Sequence, residues 1–564
     1  MASEASAITG PAGKVESGSQ IILLTLAAGQ FVMTLDSSVM NVSIATVAKD
    51  VGTTVTGIQG AITAYTLVMA ALMITGAKIG GIIGRKRAFT IGCVIYGAGS
   101  FTTSISPYFG DASFGVLLFG WSFLEGVGAA LILPAIVALV ASNFAKERRP
   151  AAYGMVAAAG AVAVAVGPLI GGFCTTYFSW QWVFAGEVVI VIAILFLARR
   201  IADAPASDRP KLDYVGAVLS ASGLSLLVFG VLKTGTWGWI SPKEGQPSLA
   251  GVSLSFWLIL AGLFVIWVFF RWQHRRERFG KEPLVRPAML RNRQLTGGLT
   301  MFFFQFLVQA GFFFVVPLFL SICLGLSALA TGARLLPLSI TLLLAAIGIP
   351  KLWPDISPRR VVRVGLLSML VGTVVLLAAL DKDAGPEVVS VPLLLIGLGI
   401  GSLASQLGSV TVSAVPDDQS PEVGGLQNTM TNLGASLGTA LAGSLLFASL
   451  TSAFVTNIQK SPDIPNRVKN QATLKLTGGV PFISDADLQA ALDDPHVSRK
   501  TTDATISAYQ DARLVGLRAA LGILAVMAIV ALFLAQRIPT VQPGKEPPER
   551  DRASPETPEP DTFI

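Results

Sequence analysis

The sequence predicts an all-α integral membrane protein with 14 transmembrane helices, arranged as two six-helix bundles flanking an inserted pair (6+2+6). Three observations carry this. Apolar runs of about 20 residues, one bilayer crossing each, recur along the chain; basic residues fall in alternate connections; and a pattern of basic residues and glycine returns eight spans later. Of the 564 residues, 52% are hydrophobic and 13% charged, about half the charged share of a soluble protein, which excludes a soluble fold of this size. The net charge of +7 sits in short clusters between apolar runs rather than along a stripe, so it signals topology and not nucleic-acid binding.

Residues 1–20 are polar. The run after them is too long for a secretory signal and carries Asp36, so it reads as an uncleaved first span. Apolar runs place the spans at 21–43, 58–82, 88–106, 113–141, 151–177, 180–198, 213–232, 253–271, 295–320, 328–349, 361–380, 388–413, 425–450 and 513–535. The stretch 451–512 is a polar extramembrane flap with a weakly amphipathic segment near 484–493 and the turn signal Gly478-Gly479. The tail 536–564 is rich in Pro, Glu and Asp and too poor in apolar residues to fold. The domains expected are thus a segment 1–20, a first bundle 21–198, a linker 199–294 with two helices and a basic loop, a second bundle 295–535 and the tail.

One set of alternate connections holds Arg85, Lys86, Arg87; Lys146, Arg148, Arg149; Arg199, Arg200, Arg209, Lys211; and Lys351, Arg359, Arg360, Arg363. The loop after span eight adds Arg271, Arg275, Arg276, Arg278, Lys281, Arg286, Arg291 and Arg293. The short loops of the other set offer Lys49, Lys233, Lys243 and Lys382. The positive-inside rule then puts both termini in the cytoplasm of a plasma-membrane protein. The connection around Asp417, Asp418 and Glu422 is the exception, with no basic residue.

Lys78, Lys86, Arg87 and Gly92 recur at the spacing of Lys351, Arg359, Arg360 and Gly365. Two six-span halves separated by two inserted spans produce that eight-span offset. Cys93, Cys174 and Cys323 lie within apolar runs and His274 and His496 lie far apart, so no disulfide framework, metal site or cofactor is expected.

An ordered set of segments runs along the chain: Leu35-Asp36-Ser37-Ser38-Val39-Met40-Asn41-Val42, Gly84-Arg85-Lys86-Arg87, Gly167-Pro168-Leu169-Ile170-Gly171-Gly172, Trp180-Gln181-Trp182-Val183-Phe184, Asp213-Tyr214-Val215-Gly216-Ala217, Gly332-Ala333-Arg334-Leu335-Leu336-Pro337 and Gly425-Leu426-Gln427-Asn428-Thr429. Together they resemble the fourteen-span drug:proton antiporter branch of the major facilitator superfamily. The resemblance runs over residues 21–450 and the last span. It implies the major facilitator fold, a transporter rather than an enzyme, and alternating access. In span five, Gly154, Ala158, Ala161, Ala165, Pro168 and Gly172 fall three, four or seven apart and make a smooth face for close helix approach. The resemblance identifies this as the antiporter motif. It also implies a gating loop after span two, with Lys78, Arg85, Lys86 and Arg87. The family's latching Asp falls here on Gly81, and its span-four Arg and Gln on Ser122 and Glu125.

Charge inside the bilayer costs roughly 2.5 kcal/mol or more and marks function by default. Asp36 in span one, Glu125 in span four and Glu187 in span six are such residues, all in the first half, with no Lys or Arg at their depth. A desolvated carboxyl without a basic partner can carry a proton near neutral pH, so Glu125 and Asp36, then Glu187, are the expected proton-coupling groups. Asn41 is expected to line the cavity or to tie span one to another helix. Phe302, Phe303, Phe304, Phe306, Phe312, Phe313 and Phe314 crowd span nine; most are expected to face lipid, while some of them with Tyr65, Met69 and Trp121 line an apolar cavity. Gln305 and Gln309, one turn apart, and Gln427 and Asn428 supply its polar contacts. Lipophilic cations suit aromatic faces backed by acids. The expected activity is proton-coupled export of amphipathic, cationic drugs or metabolites by a monomer. A proton-coupled transporter of a specific solute or lipid, and a sensor or assembly factor that moves nothing, stay open as alternatives.

Overall fold

The computed structural model describes residues 12–144, 148–203, 212–243, 245–381, 384–416, 419–462, 464–465, 469, 480–492 and 499–542. Lys146, Arg209, Lys211, Lys382, Asp417, Asp418, Gly478, Gly479 and His496 lie outside them, as do residues 1–11, the tail from 543 and the side chain of Arg149. Thirteen helical stretches are long and apolar enough to cross a membrane, and the 59-residue stretch Arg85–Asn143 holds two crossings that turn at Ser106–Ala112. Fourteen spans result: α1 Ala12–Asp50, α2 Val55–Ile83, α3 Arg85–Ile105, α4 at 113–143, α5 Arg149–Tyr177, α6 Gln181–Leu197, α7 Tyr214–Trp237, α8 Leu254–Arg278, α9 Arg293–Leu318, α10 Ala328–Leu352, α11 Pro358–Ala379, α12 Ser390–Val412, α13 Ser420–Lys460 and α14 Arg499–Leu534. The end of the bundle reached by α1's start and α14's finish is the near end, its opposite the far end.

Capping side chains begin several of these helices: Thr54, Asp213, Ser253, Asn292 and Ser327 each accept a hydrogen bond from a first-turn amide. Gly84, at φ 104°, makes the abrupt turn from α2 into α3, a backbone only glycine adopts freely. A two-stranded hairpin, Ser248–Leu249 with Val252–Ser253, joins α7 to α8 and departs from the all-helical expectation. Ala250 and Gly251, both at positive φ, turn it.

Glycine seams set which helices meet. A Cβ at Gly92 would lie 2.9 Å from the Gly128 carbonyl, and one at Gly365 would lie 2.9 Å from the Gly399 carbonyl, so α3 meets α4 as α11 meets α12. The near-end loops repeat as well. Lys86 Nζ donates to the Arg199 carbonyl after α6 (3.0 Å), and Arg359 Nε donates to the Ile538 carbonyl after α14 (2.6 Å). Each half thus ties its second loop to the chain leaving its sixth helix.

The inserted pair packs through Gly223, Gly230 and Gly262 and is knotted at the near end by Asp213. Trp272 Nε1 (3.1 Å) and Gln273 Nε2 (3.0 Å) donate to that carboxylate, and Arg276 Nε pairs with it at 3.4 Å. Against α13, Gly235 abuts Ser444, whose hydroxyl donates to the Val231 carbonyl at 3.0 Å. Ala70 of α2, Leu224 and Val228 of α7 and Leu433 of α13 share one buried cluster. The pair is therefore docked where the two halves meet.

The stretch 451–512, expected outside the membrane with no shape assigned, is helical in part: α13 continues to Lys460 and α14 begins at Arg499, and at 1.5 Å per residue the 41 residues of α13 span about 60 Å, twice the thickness of a hydrocarbon core. The amphipathic segment is the short helix Asp485–Ala491. One expectation needs correction: four of the seven phenylalanines of α9, most of which are expected to face lipid, are enclosed. Phe302, Phe312, Phe313 and Phe314 are buried, and Phe303, Phe304 and Phe306 are partly so, because α9 packs against α12, α13, α14 and α1.

Candidate functional site

Hydrogen bonds in α4 change register where the acids gather. Leu118–Glu125 is a π-helical segment, a turn type concentrated at functional sites, and it carries both Trp121 and Glu125. Facing it, Gly99 of α3 leaves the space that Glu125 fills: a Cβ there would lie 2.6 Å from Glu125 Cγ and 2.7 Å from the Gly120 carbonyl.

This packing brings three acids from three helices together. Ligand oxygens of Asp36, Glu125 and Glu187 all lie within 4.8 Å of one another, and the residues are 0%, 0% and 1% exposed. Trp121 Nε1 donates to Asp36 Oδ1 at 2.7 Å. Thr103 Oγ1 lies 3.3 Å from Glu125 Oε1, and Tyr96 OH (3.1 Å) and Ser100 Oγ (3.2 Å) donate to Glu187 Oε2. The second oxygen of each carboxylate, Asp36 Oδ2, Glu125 Oε2 and Glu187 Oε1, has no hydrogen-bond partner, nor has the Tyr65 hydroxyl. Tyr65 stacks on Trp121 at 5.2 Å and 15°. Two unit charges 4.8 Å apart repel by about 3–4 kcal/mol at an effective dielectric near 20.

The other expected residues are placed as follows. Tyr65 and Trp121 are fully enclosed beside the acids, and Met69 is buried one turn beyond Tyr65. Asn41 does not tie α1 to another helix; its Nδ2 donates to the Ser37 carbonyl one turn back (2.8 Å). Gln305 and Gln309 are buried on one face of α9, each with an unpartnered Oε1. Gln427 Oε1 accepts from Thr411 Oγ1 at 3.3 Å, joining α13 to α12, whereas Asn428 Nδ2 donates to Gly424 of its own helix. Arg334 is half-buried at the end of the first turns of α10.

Span five has its smooth face in its far half. Gly167 lies against Ser38 and Gly171 against Val39 of α1, while Gly172 lies against Ala328 of α10 and Gly332 of α10 against the Pro168 carbonyl. Thr176 Oγ1 accepts from the Leu329 amide (3.0 Å). Gly154, expected on the same face, has open space around it, with nothing within 4 Å of an added Cβ.

At the near end, Arg85 Nη1 donates to the Ala77 carbonyl (2.7 Å) and the Lys86 amide to Asp203 Oδ1 (3.0 Å), so Asp203 caps α3 next to Gly84. Lys78 pairs with Glu422 of α13 at 3.4 Å, and Arg286 of the loop after α8 pairs with the same carboxylate at 3.6 Å. Leu284, Val285 and Met289 of that loop are buried with Phe269, Leu295, Leu299, Val423 and Leu426. Sequence reasoning missed Asp203 as a cap, the ion-pairing role of Glu422, and Tyr96, Ser100 and Thr103 as ligands of the acids. The last three fall at spacings of three and four in span three, a polar stripe that was readable.

The profile of the Major Facilitator Superfamily matches residues 26–439. Among curated proteins, the chain is 30% identical over 437 residues to the probable actinorhodin transporter of Streptomyces coelicolor, covering 75% of this chain and 72% of that one. It is 27% identical to the tetracenomycin C resistance and export protein of Streptomyces glaucescens, with 77% of each covered. With the multidrug efflux pump LfrA of Mycolicibacterium smegmatis it shares 26% identity over 84% of this chain and 88% of the pump. Among solved structures, an inward-facing bacterial homolog of the human lysosomal transporter Spinster aligns with a TM-score of 0.56 at 15% identity, over 92% of this chain and 98% of that one. The human organic anion transporter MFSD10 aligns at 0.52 and 12%, over 92% and 99%.

Proposed function

The chain belongs to the Major Facilitator Superfamily, and from that premise we propose that it exports amphipathic, cationic small molecules from the cell in exchange for protons. The observation that carries this reading is the cluster Asp36, Glu125 and Glu187: three buried carboxylates within 4.8 Å, each with one oxygen open to a proton. Cationic cargo and protons then compete for one patch of negative charge in the first half. Among the described residues, the buried charges elsewhere are already matched, Arg513 by Asp485 and Asp213 by Arg276. Similarity to a protein named for tetracenomycin C resistance and export and to a multidrug efflux pump supports export as the direction.

In this reading residues 21–198 and 295–535 rock as two bodies, the near end is cytoplasmic because the basic loops lie there, and the membrane is the plasma membrane. Glu422, gripping Lys78 of the first half and Arg286 of the linker loop, replaces the acid missing at Gly81 as the near-end latch. The test is reconstitution: purified protein in liposomes, an imposed pH gradient and a panel of lipophilic cationic dyes. Accumulation that follows the gradient and is lost in Glu125→Gln supports the proposal. Undiminished accumulation in Glu125→Gln, Asp36→Asn and Glu187→Gln alike rejects it.

A further inference from the structure

We propose that Trp121 transmits the protonation of Asp36 to the π-helical turn of α4, a positioning role distinct from lining a substrate cavity. The inference rests on the proton-coupling reading above and goes beyond it by naming how a proton changes helix geometry. An indole N–H can only donate, and Trp121 spends it on Asp36 Oδ1 at 2.7 Å, short for an N–H···O bond. The other oxygen of that carboxylate, Oδ2, has no such partner, with Glu125 and Tyr65 beside it. A bond to an ionised acceptor is roughly twice as strong as one to a neutral acceptor, so a proton arriving on Asp36 weakens the tie between α1 and α4.

The turn that holds Trp121 depends on such ties. A π turn departs from the regular i→i+4 ladder and persists where tertiary contacts support it. Here Ser122 Oγ donates to the Ala61 carbonyl of α2 (2.9 Å), Gly120 packs on Thr103 of α3, and Trp121 reaches Asp36 of α1. The Ser122 bond ends on a backbone carbonyl, which no proton alters. The Trp121 bond ends on a carboxylate, which one does. Tyr65, stacked on the indole, keeps the ring in plane while the bond weakens. The titratable groups facing Asp36 are Glu125 of α4, Glu187 of α6, Tyr65 of α2 and Tyr96 of α3. From the other elements packed on α1, α5 carries Arg149 and Tyr153 near one end and Cys174 and Tyr177 near the other, α9 carries Arg293 at its near end, α10 carries Arg334 near its far end and Lys351 near its near end, and the turn Ala198–Arg200 carries Arg199 and Arg200.

The experiment is fluorine NMR of the full-length protein labelled with 5-fluorotryptophan, the Trp121 resonance being the one lost in Trp121→Phe. In the unsubstituted chain that resonance shifts between pH 5 and pH 9; in Asp36→Asn it stays at one position. An equal shift in Asp36→Asn, or no shift in the unsubstituted chain, overturns the proposal. Transport gives a second arm with ethidium as the probe. Trp121→Phe loses tenfold or more of gradient-driven accumulation and flattens its pH profile, whatever it does to exchange in the absence of a gradient. If Trp121→Phe accumulates ethidium with an unchanged profile while Glu125→Gln does not, the transmission role fails and proton coupling stands. If Glu125→Gln and Asp36→Asn also accumulate normally, the coupling reading has failed, and this inference with it.

Discussion

Lys78 of α2 and Glu422 at the start of α13 face each other across the seam between the two halves, Nζ to Oε1 3.4 Å. The pair joins a residue of the basic loop motif to an acid that lies 344 positions away in the chain. With Arg286 on the other oxygen, it ties both bundles and the inserted linker at one point.

Removing that acid is expected to loosen the near end. Both ion pairs are partly solvated, so each contributes about 0.2–1 kcal/mol, and Glu422→Gln should move the balance of open and closed forms by about two- to thirtyfold. Spin-label distances across the near-end mouth are the measurement. Gly81→Asp introduced into Glu422→Gln should restore the original distribution, and an unchanged distribution in Glu422→Gln itself would assign the latch to another contact.

The glycine seam beside the acids predicts an asymmetric pair of substitutions. Gly99→Ala places a methyl 2.6 Å from Glu125 Cγ, and overpacking of this kind typically costs about 1–3 kcal/mol. Gly154→Ala meets open space and gains up to about 1 kcal/mol of helix propensity. Thermal unfolding in detergent should show a lower midpoint for the first and an equal or higher one for the second.

Proton number follows from which gradient drives export. One proton exchanged for one monovalent cation moves no net charge, so a pH unit supplies about 1.4 kcal/mol, or tenfold accumulation. Two protons double the pH contribution, to about a hundredfold per unit, and also draw on the membrane potential, near 2.3 kcal/mol per 100 mV, a further factor of about fifty. A potassium diffusion potential imposed at constant pH is expected to drive export only in the second case. Glu125→Gln should abolish the response to pH in both, and Glu125→Asp should keep part of it.

Sidedness is open to thiol labelling in a cysteine-free background. Single cysteines in the loop 279–292 and after Arg537 should react with an impermeant reagent only once the membrane is broken. A cysteine at Asn470 should react in intact cells. The reverse pattern would turn the molecule over and make the near end external.

Hydropathy and charge along the chain determined the spans, the basic loops and the family motifs, because membrane insertion reads those quantities locally, one helix at a time. The unmatched acids were equally legible, since no base occurs at their depth in the first half. What the sequence left open was who meets whom. Asp36, Glu125 and Glu187 come from α1, α4 and α6, and they converge because glycines at 92, 99, 120 and 128 let α3 and α4 approach to backbone contact. Asp203 and Glu422 take up the loop after α2 from distant turns of the chain. Phe302, Phe312, Phe313 and Phe314 of α9 are enclosed rather than lipid-facing, which composition could not decide: lipid tails and protein interior are alike apolar, so hydropathy does not distinguish the two faces of a membrane helix. Only the rotation and crossing of packed helices does, and that is settled by side-chain shape across the whole bundle rather than by any one segment.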